Sequence, residues 1–208
     1  AGIVGEDGET HQGIYDISFL RHIPNMAVVA PCDYNELAKI LEYAVLEHDG
    51  PIAIRYPRGA GAEKLFDTPD VKLGQSLLIG EGGDVTIAAV GNKVGVALEV
   101  AEKLKKVGLS ADVIYCRFIK PLDSNTIINS IQKTKRLVTI EDNTIEGGFG
   151  SRILETINQK GINVKTRMFG YPDAFIPHGS TKELTHIYRL DPDSIFNDIL
   201  KEISKSRI

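Results

Sequence analysis

GEDGETHQGIYDISFLRHIPNMAVVAP, from Gly5 to Pro31, is the stretch on which the fold assignment turns. Its end, Met26-Ala27-Val28-Val29-Ala30 stopped by Pro31, is a short unbroken apolar run, the pattern of a strand buried on both faces in a parallel sheet. Ahead of it, Asp16–Arg21 predicts a short helix, and His22-Ile23-Pro24-Asn25 a turn. The first nine residues form a dense polar loop, with glycines at 5, 8 and 13 that permit tight turns or close approach to a ligand. A loop of ionisable residues beside a strand end is where open α/β sheets place their sites.

Outward from this stretch the alternation continues. Asp33 is placed to cap a helix, with Glu36 as its capping-box partner, and Leu37, Ile40, Leu41, Ala44 and Val45 form that helix's apolar stripe. Ile52–Tyr56 predicts a further strand closed by Pro57. Residues 61–82 are rich in Gly and hold only a short strand candidate at Ser76–Ile79, so they are expected to link two domains, 1–60 and 83–208. In the second domain, strands are expected at 85–90, 110–116, 137–140 and 164–169. Helices are expected at 94–107, from Asp123 to 131, from about 151 to 159, from Thr181, and over 193–205. Four strand–helix alternations argue for an α/β fold with a mostly parallel sheet covered on both faces.

The chain has 208 residues, 42% of them apolar, which suffices for an ordinary core. Its formal charge of -4 gives no electrostatic reason to expect nucleic acid as a partner. No apolar run approaches the length needed to span a membrane, and the start lacks a signal-peptide pattern. Cys32 and Cys116 are far apart and read as reduced, buried thiols of a cytoplasmic protein. Ala1-Gly2-Ile3-Val4-Gly5 reads as the tail of a strand with no initiator Met, which predicts a truncated chain.

Within the loop, His11 could serve as an acid/base or as a donor to a developing oxyanion, and Asp7 could orient a hydroxyl or the imidazole. A solvent-exposed loop whose His makes one structural hydrogen bond is the alternative. GxGxxG, GxxxxGK[ST] and calcium-loop patterns are absent here, and the five histidines are scattered, so no metal ligand set is expected. In Arg55-Tyr56-Pro57-Arg58-Gly59, an Arg between Pro and Gly can present its fork to a phosphate, or can belong to a salt-bridged pair at a domain exit. Glu141-Asp142-Asn143 with Gly147-Gly148-Phe149-Gly150-Ser151 reads as a structural turn opening a helix rather than an anion site. His178 reads as a structural or interface residue.

Taken together, GEDGETHQG, Tyr15–Arg21, Ile23–Met26, Arg55–Gly59, Lys120–Asp123, Glu141–Asn143 and Phe175–Gly179 resemble the transketolase-like thiamine-diphosphate enzymes. The similarity is greatest to the synthases that condense pyruvate with glyceraldehyde 3-phosphate to 1-deoxy-D-xylulose 5-phosphate and carbon dioxide. The resemblance implies the back half of a pyrimidine-binding domain over 1–60 and a transketolase C-terminal domain over 83–208. It implies catalytic roles for His11 and Asp7 and binding of the acceptor's phosphate by Arg58. It also implies thiamine diphosphate and Mg2+ as cofactors, held mainly by an N-terminal part of the same protein that is missing here, and a homodimer that is inactive as this piece alone. A transketolase, a 2-oxo-acid dehydrogenase β subunit and a non-catalytic dimerisation module are the alternatives.

Overall fold

The computed structural model describes residues 1–62 and 64–205; position 63 of the expected linker and positions 206–208 of the expected second domain lie outside the described residues. The chain begins with a 3-10 turn (Gly5–Thr10) and continues through α1 (Asp16–Leu20), β1 (Ala27–Val29), α2 (Tyr34–Leu46) and β2 (Ile52–Ile54). After the Gly-rich segment come β3 (Leu77–Gly80), β4 (Val85–Ala89), α3 (Lys93–Lys106), β5 (Ala111–Tyr115) and β6 (Phe118–Lys120). The chain finishes with α4 (Ser124–Thr134), β7 (Arg136–Thr144), α5 (Phe149–Gln159), β8 (Lys165–Tyr171), α6 (Thr181–Ile187) and α7 (Pro192–Lys205).

Two sheets result. The larger has the order β3-β5-β4-β7-β8; β4, β5, β7 and β8 run parallel and β3 joins one edge antiparallel. Side chains of β4 alternate between two cores, as a strand's period of two requires. Val85, Ile87 and Ala89 face the core shared with Val100 and Leu104 of α3 and Ile195 and Ile199 of α7. Ala88 faces the core shared with Ile127 and Ile131 of α4 and Phe149 and Ile153 of α5. Helices therefore cover both faces, and β4 and β5 are buried throughout.

The smaller sheet has the order β2-β1-β6: β1 and β2 are parallel, while β6 is lent by the later half of the chain and lies antiparallel to β1. The two halves are joined further by a common core, since Ile17, Val28 and Ala30 pack with Ala88, Ile114 and Phe149. Tyr115 donates its hydroxyl hydrogen to the Ala30 carbonyl at 2.9 Å.

Two expectations for α2 need correction. Asp33 does cap it, accepting from the Glu36 amide at 2.8 Å, but the Glu36 carboxylate does not close a capping box; it turns inward to meet Arg117 at 3.0 Å, both side chains being fully buried. The inward face is Glu36, Ile40 and Tyr43. Leu41 and Val45 of the expected row stay on the outside, Val45 at 78% exposure, next to an exposed Leu46. The physical reason is rotational: satisfying a buried Arg117 requires Glu36 on the core side, and that choice swings Leu41 and Val45 away.

Candidate active site

Doubly wound sheets bind ligands where adjacent parallel strands send their connections to opposite sides. In the larger sheet that point lies between β4 and β7, and here the chain's own first residues occupy it. Asn92, just past β4, donates from Nδ2 to Asp142 Oδ2 on β7 at 3.2 Å. Gly2 lies so close to that carboxylate that a Cβ there would overlap it. Gly2 and Gly13 exchange backbone hydrogen bonds of 2.8 Å, closing residues 3–12 into a loop.

The loop is held from several directions. Thr144 donates its amide to the Ile14 carbonyl at 2.7 Å, and Gly179 donates to the Gly5 carbonyl at 3.2 Å. Gln12 Oε1 accepts from the Ile176 amide at 3.0 Å, Tyr15 donates its hydroxyl to the Ala174 carbonyl at 3.0 Å, and Asn143 Oδ1 accepts from the Ile17 amide at 3.2 Å. Gly8 has φ 62 and faces His178, whose Cβ would be 3.0 Å from an added Cβ; only glycine combines that backbone with that contact. His178 thus stands against the loop's backbone.

The structure brings Asp7 and Arg58 together as an ion pair bridging the loop and the exit of β2. Both are partly open to solvent, the Asp7 side chain at 35% and that of Arg58 at 63%. His11 is on the same loop, exposed, with Nδ1 2.8 Å from Thr10 Oγ1. Arg58 also lines a cavity of about 340 Å3 with Cys32, Asp33, Tyr34 and Tyr56. Burial pushes the Cys32 and Cys116 thiols up, Cys116 to about 12, so neither is an available nucleophile near neutrality.

Arg55 is the residue whose role the sequence reading left unassigned. Its side chain is 3% exposed and donates from Nε to both Asp16 oxygens at 3.0 Å. Nη2 donates to the Gly13 carbonyl at 3.1 Å and to the Asp142 carbonyl. One guanidinium therefore pins the end of the loop, α1 and β7 at once. A charged residue continuing the apolar strand Ile52-Ala53-Ile54 was the available signal, because such a charge needs buried partners.

Glu141 is fully buried and accepts from the amides of Phe149 and Gly150 at 2.7 and 2.9 Å, filling the N-terminus of α5. Burial raises its carboxyl to about 8, opposed by those two amides and by the charges of Arg55 and Arg21. The position at this helix start is taken by the chain's own carboxyl group, and Glu141–Asn143, expected as a turn after a strand ending at 140, instead continue β7 to Thr144. Among the described residues no group of three or more His, Cys, Asp or Glu is placed to hold a metal ion. No helix among them is long and apolar enough to cross a membrane.

Comparison with known proteins accounts for both halves. The family model for the transketolase pyrimidine-binding domain matches residues 1–63, and that for the transketolase C-terminal domain matches residues 74–195. The 1-deoxy-D-xylulose-5-phosphate synthase of Halothermothrix orenii is 46% identical over 99% of this chain and 32% of its own length. That of Desulfotalea psychrophila is 49% identical over 88% of this chain and 29% of its own length. The chain thus spans about a third of the curated relatives it matches. Among solved structures, a split-gene transketolase in an inactive β4 tetramer superposes with a TM-score of 0.85 at 29% identity, over 94% of this chain and 63% of that one. A transketolase from Campylobacter jejuni shares the fold, with a TM-score of 0.72 at 23% identity, over 95% of this chain and 29% of its own. The C-terminal-domain model alone matches more than half of the residues, and the chain belongs to the transketolase family.

Proposed function

We propose that this chain is the part of a thiamine-diphosphate-dependent synthase that presents the acceptor-binding wall of the active site, for the condensation of pyruvate with glyceraldehyde 3-phosphate to 1-deoxy-D-xylulose 5-phosphate and carbon dioxide. The observation that carries the reading is the Asp7–Arg58 ion pair, which ties the exit of β2 to the loop that also carries His11, in a chain similar over nearly all its length to synthases of that name.

In this reading Arg58 binds the phosphate of glyceraldehyde 3-phosphate through its guanidinium fork. Its pairing with Asp7 is solvent-exposed, a type of pair worth about 0–1 kcal/mol, so a phosphate dianion can displace the carboxylate without a large penalty. Asp7, once released, accepts hydrogen bonds from the substrate's hydroxyl groups. His11 donates to a developing alkoxide or takes up its proton. Thiamine diphosphate, when bound, supplies the electron sink for decarboxylation. The donor set of this chain fits one side of such a site only, and we place the diphosphate and Mg2+ on residues outside it.

The same reading gives the outer row of α2 a use. Leu41, Val45 and Leu46 are exposed beside β2, which ends the smaller sheet. A further portion of the pyrimidine-binding domain would cover that row and pair with that edge. Within a homodimer the completed site would use His11 and Arg58 from this wall.

Replacing Arg58 with Ala in the assembled enzyme tests the assignment. Its KM for glyceraldehyde 3-phosphate should rise at least about ten-fold, the value of one charge-assisted contact, with the KM for pyruvate little changed; equal effects on both substrates refute it. Isothermal titration of this chain alone with thiamine diphosphate and Mg2+ should show no binding, and micromolar binding refutes the placement of the cofactor groups. A second reading, a split enzyme whose partner is a separate polypeptide, is favoured by the superposition on the split-gene transketolase; restoration of activity by such a partner would distinguish it.

A further inference from the structure

A second cluster of cationic side chains lies between the first turn of α3 and the α6–α7 junction, sharing no residue with the Asp7–His11–Arg58 cluster. There Lys93, Lys182, Val96, Leu190 and Pro192 line a cleft of about 390 Å3 with Asp191 and Asp193. Lys93 is 5% exposed. Lysines are seldom buried to that extent without a partner, and the other buried cations here obey the rule: Arg117 has Glu36 and Arg55 has Asp16. Among the described residues the Lys93 ammonium has no hydrogen-bond or ion-pair partner, and it is not one of the polar atoms sealed from solvent. A buried stem whose charged end still meets solvent, on a residue lining the cleft, opens into that cleft.

The charges around it do not cancel. Asp193 is engaged by Lys103 at 2.7 Å. Asp191 accepts from the Ser194 amide at 3.0 Å as the cap of α7 and lies 3.3 Å from His186 Nδ1. Lys182 is exposed and, like Lys93, has no ion-pair partner among the described residues. With Asp193 taken by Lys103 and Asp191 keeping its own charge, the two ammonium groups leave the cleft one net positive charge, which favours an anion. Val96 and Pro192 supply apolar surface for the carbon skeleton to which the phosphate is attached. We propose that this cleft is an accessory binding site for a small phosphate monoester, with Lys93 as its principal contact.

The test uses the full chain carrying Arg58→Ala, so that the acceptor-phosphate wall contributes nothing and the outcome does not depend on that assignment. Inorganic phosphate and phenyl phosphate are titrated in at constant ionic strength and followed by 31P NMR and calorimetry. Saturable one-site binding is expected, weaker by about ten-fold or more in Lys93→Met, whose apolar stem keeps the packing, and by about three-fold or more in Lys182→Met. Absence of saturable binding overturns the site, as does unchanged affinity in Lys93→Met. Acetate binding as tightly as phosphate overturns the preference for phosphate.

Discussion

Replacing Arg55 with Met removes the guanidinium while keeping most of the stem, and the structure sets the size of the loss. The side chain is 3% exposed and bonds both Asp16 oxygens and the carbonyls of Gly13 and Asp142. Removing one member of a buried ion pair costs about 3–5 kcal/mol, because its partner is left charged and unpaired. Asp16 retains 21% exposure, so water can take over part of that burden, and the lower end, about 3 kcal/mol, is expected. That is roughly a hundred-fold change in the folded-to-unfolded ratio. Guanidinium unfolding at pH 7 measures it. Hydrogen exchange locates it: the Thr144 and Gly13 amides, bonded to Ile14 and Gly2, should lose protection before the amides of β4. Arg55→Lys should recover only part, since an ammonium cannot span three acceptors held in different directions. A loss below about 1 kcal/mol in Arg55→Met, or full recovery by Lys, would refute the clasp.

Glu141 makes stability depend on pH in a direction opposite to that of most carboxylates. Its folded value is about 8 against an ordinary 4.5, so the folded chain binds the proton more tightly and stability should fall as pH rises from about 4.5 to about 8. Glu141→Gln should flatten that slope in urea titrations across the window; an unchanged slope counts against burial as its cause. Gly150→Ala would put a Cβ 2.5 Å from Thr139 Oγ1 and 2.9 Å from Met168 Sδ, and the overpacking should cost about 1–3 kcal/mol by thermal or urea unfolding. Gly83→Ala, where the nearest atom is Ser110 Oγ at 4.0 Å, should be neutral or stabilising by up to about 1 kcal/mol; equal losses in both would refute the close-packing account of Gly150.

Elements with strong local signals were readable without the structure. Asp123 caps α4, accepting from the Thr126 amide; α3, α5 and α7 carry clear apolar stripes, and β4 and the Leu137–Ile140 part of β7 are mostly apolar, each broken by one Thr, ahead of such helices. What escaped was set by partners distant in the chain. β6 has three residues before Pro121 and no alternation to mark it, and it exists as a strand because β1 lies beside it. The α2 stripe misled for the same reason: Leu41 and Val45 are as apolar as an inward face requires, yet Arg117, 81 residues from Glu36, decides which way the helix turns.

The same division runs through the candidate site. His11 and Asp7 are candidates by residue type on a Gly-rich loop, whereas the phosphate role of Arg58 came from the family resemblance; the loop and β2's exit are near neighbours in the fold. The groups that hold them in place do not stand out. Asp142, Asn143 and Thr144 end a strand more than 120 residues after the loop, and the Ala174–Gly179 segment that grips it lies more than 150 residues on. Each of these contacts has a backbone amide or carbonyl on at least one side, a group every residue carries, so the side chains of Gln12, Tyr15 and Asn143 do not reveal their partners. Arg55 is a further side chain, at the centre of that grip. Its position after three apolar strand residues was a signal of a buried charge that the sequence reading did not use. Only the fold shows that its partners are the loop on one side and β7 of the C-terminal domain on the other. That arrangement makes the C-terminal domain a determinant of where His11 stands.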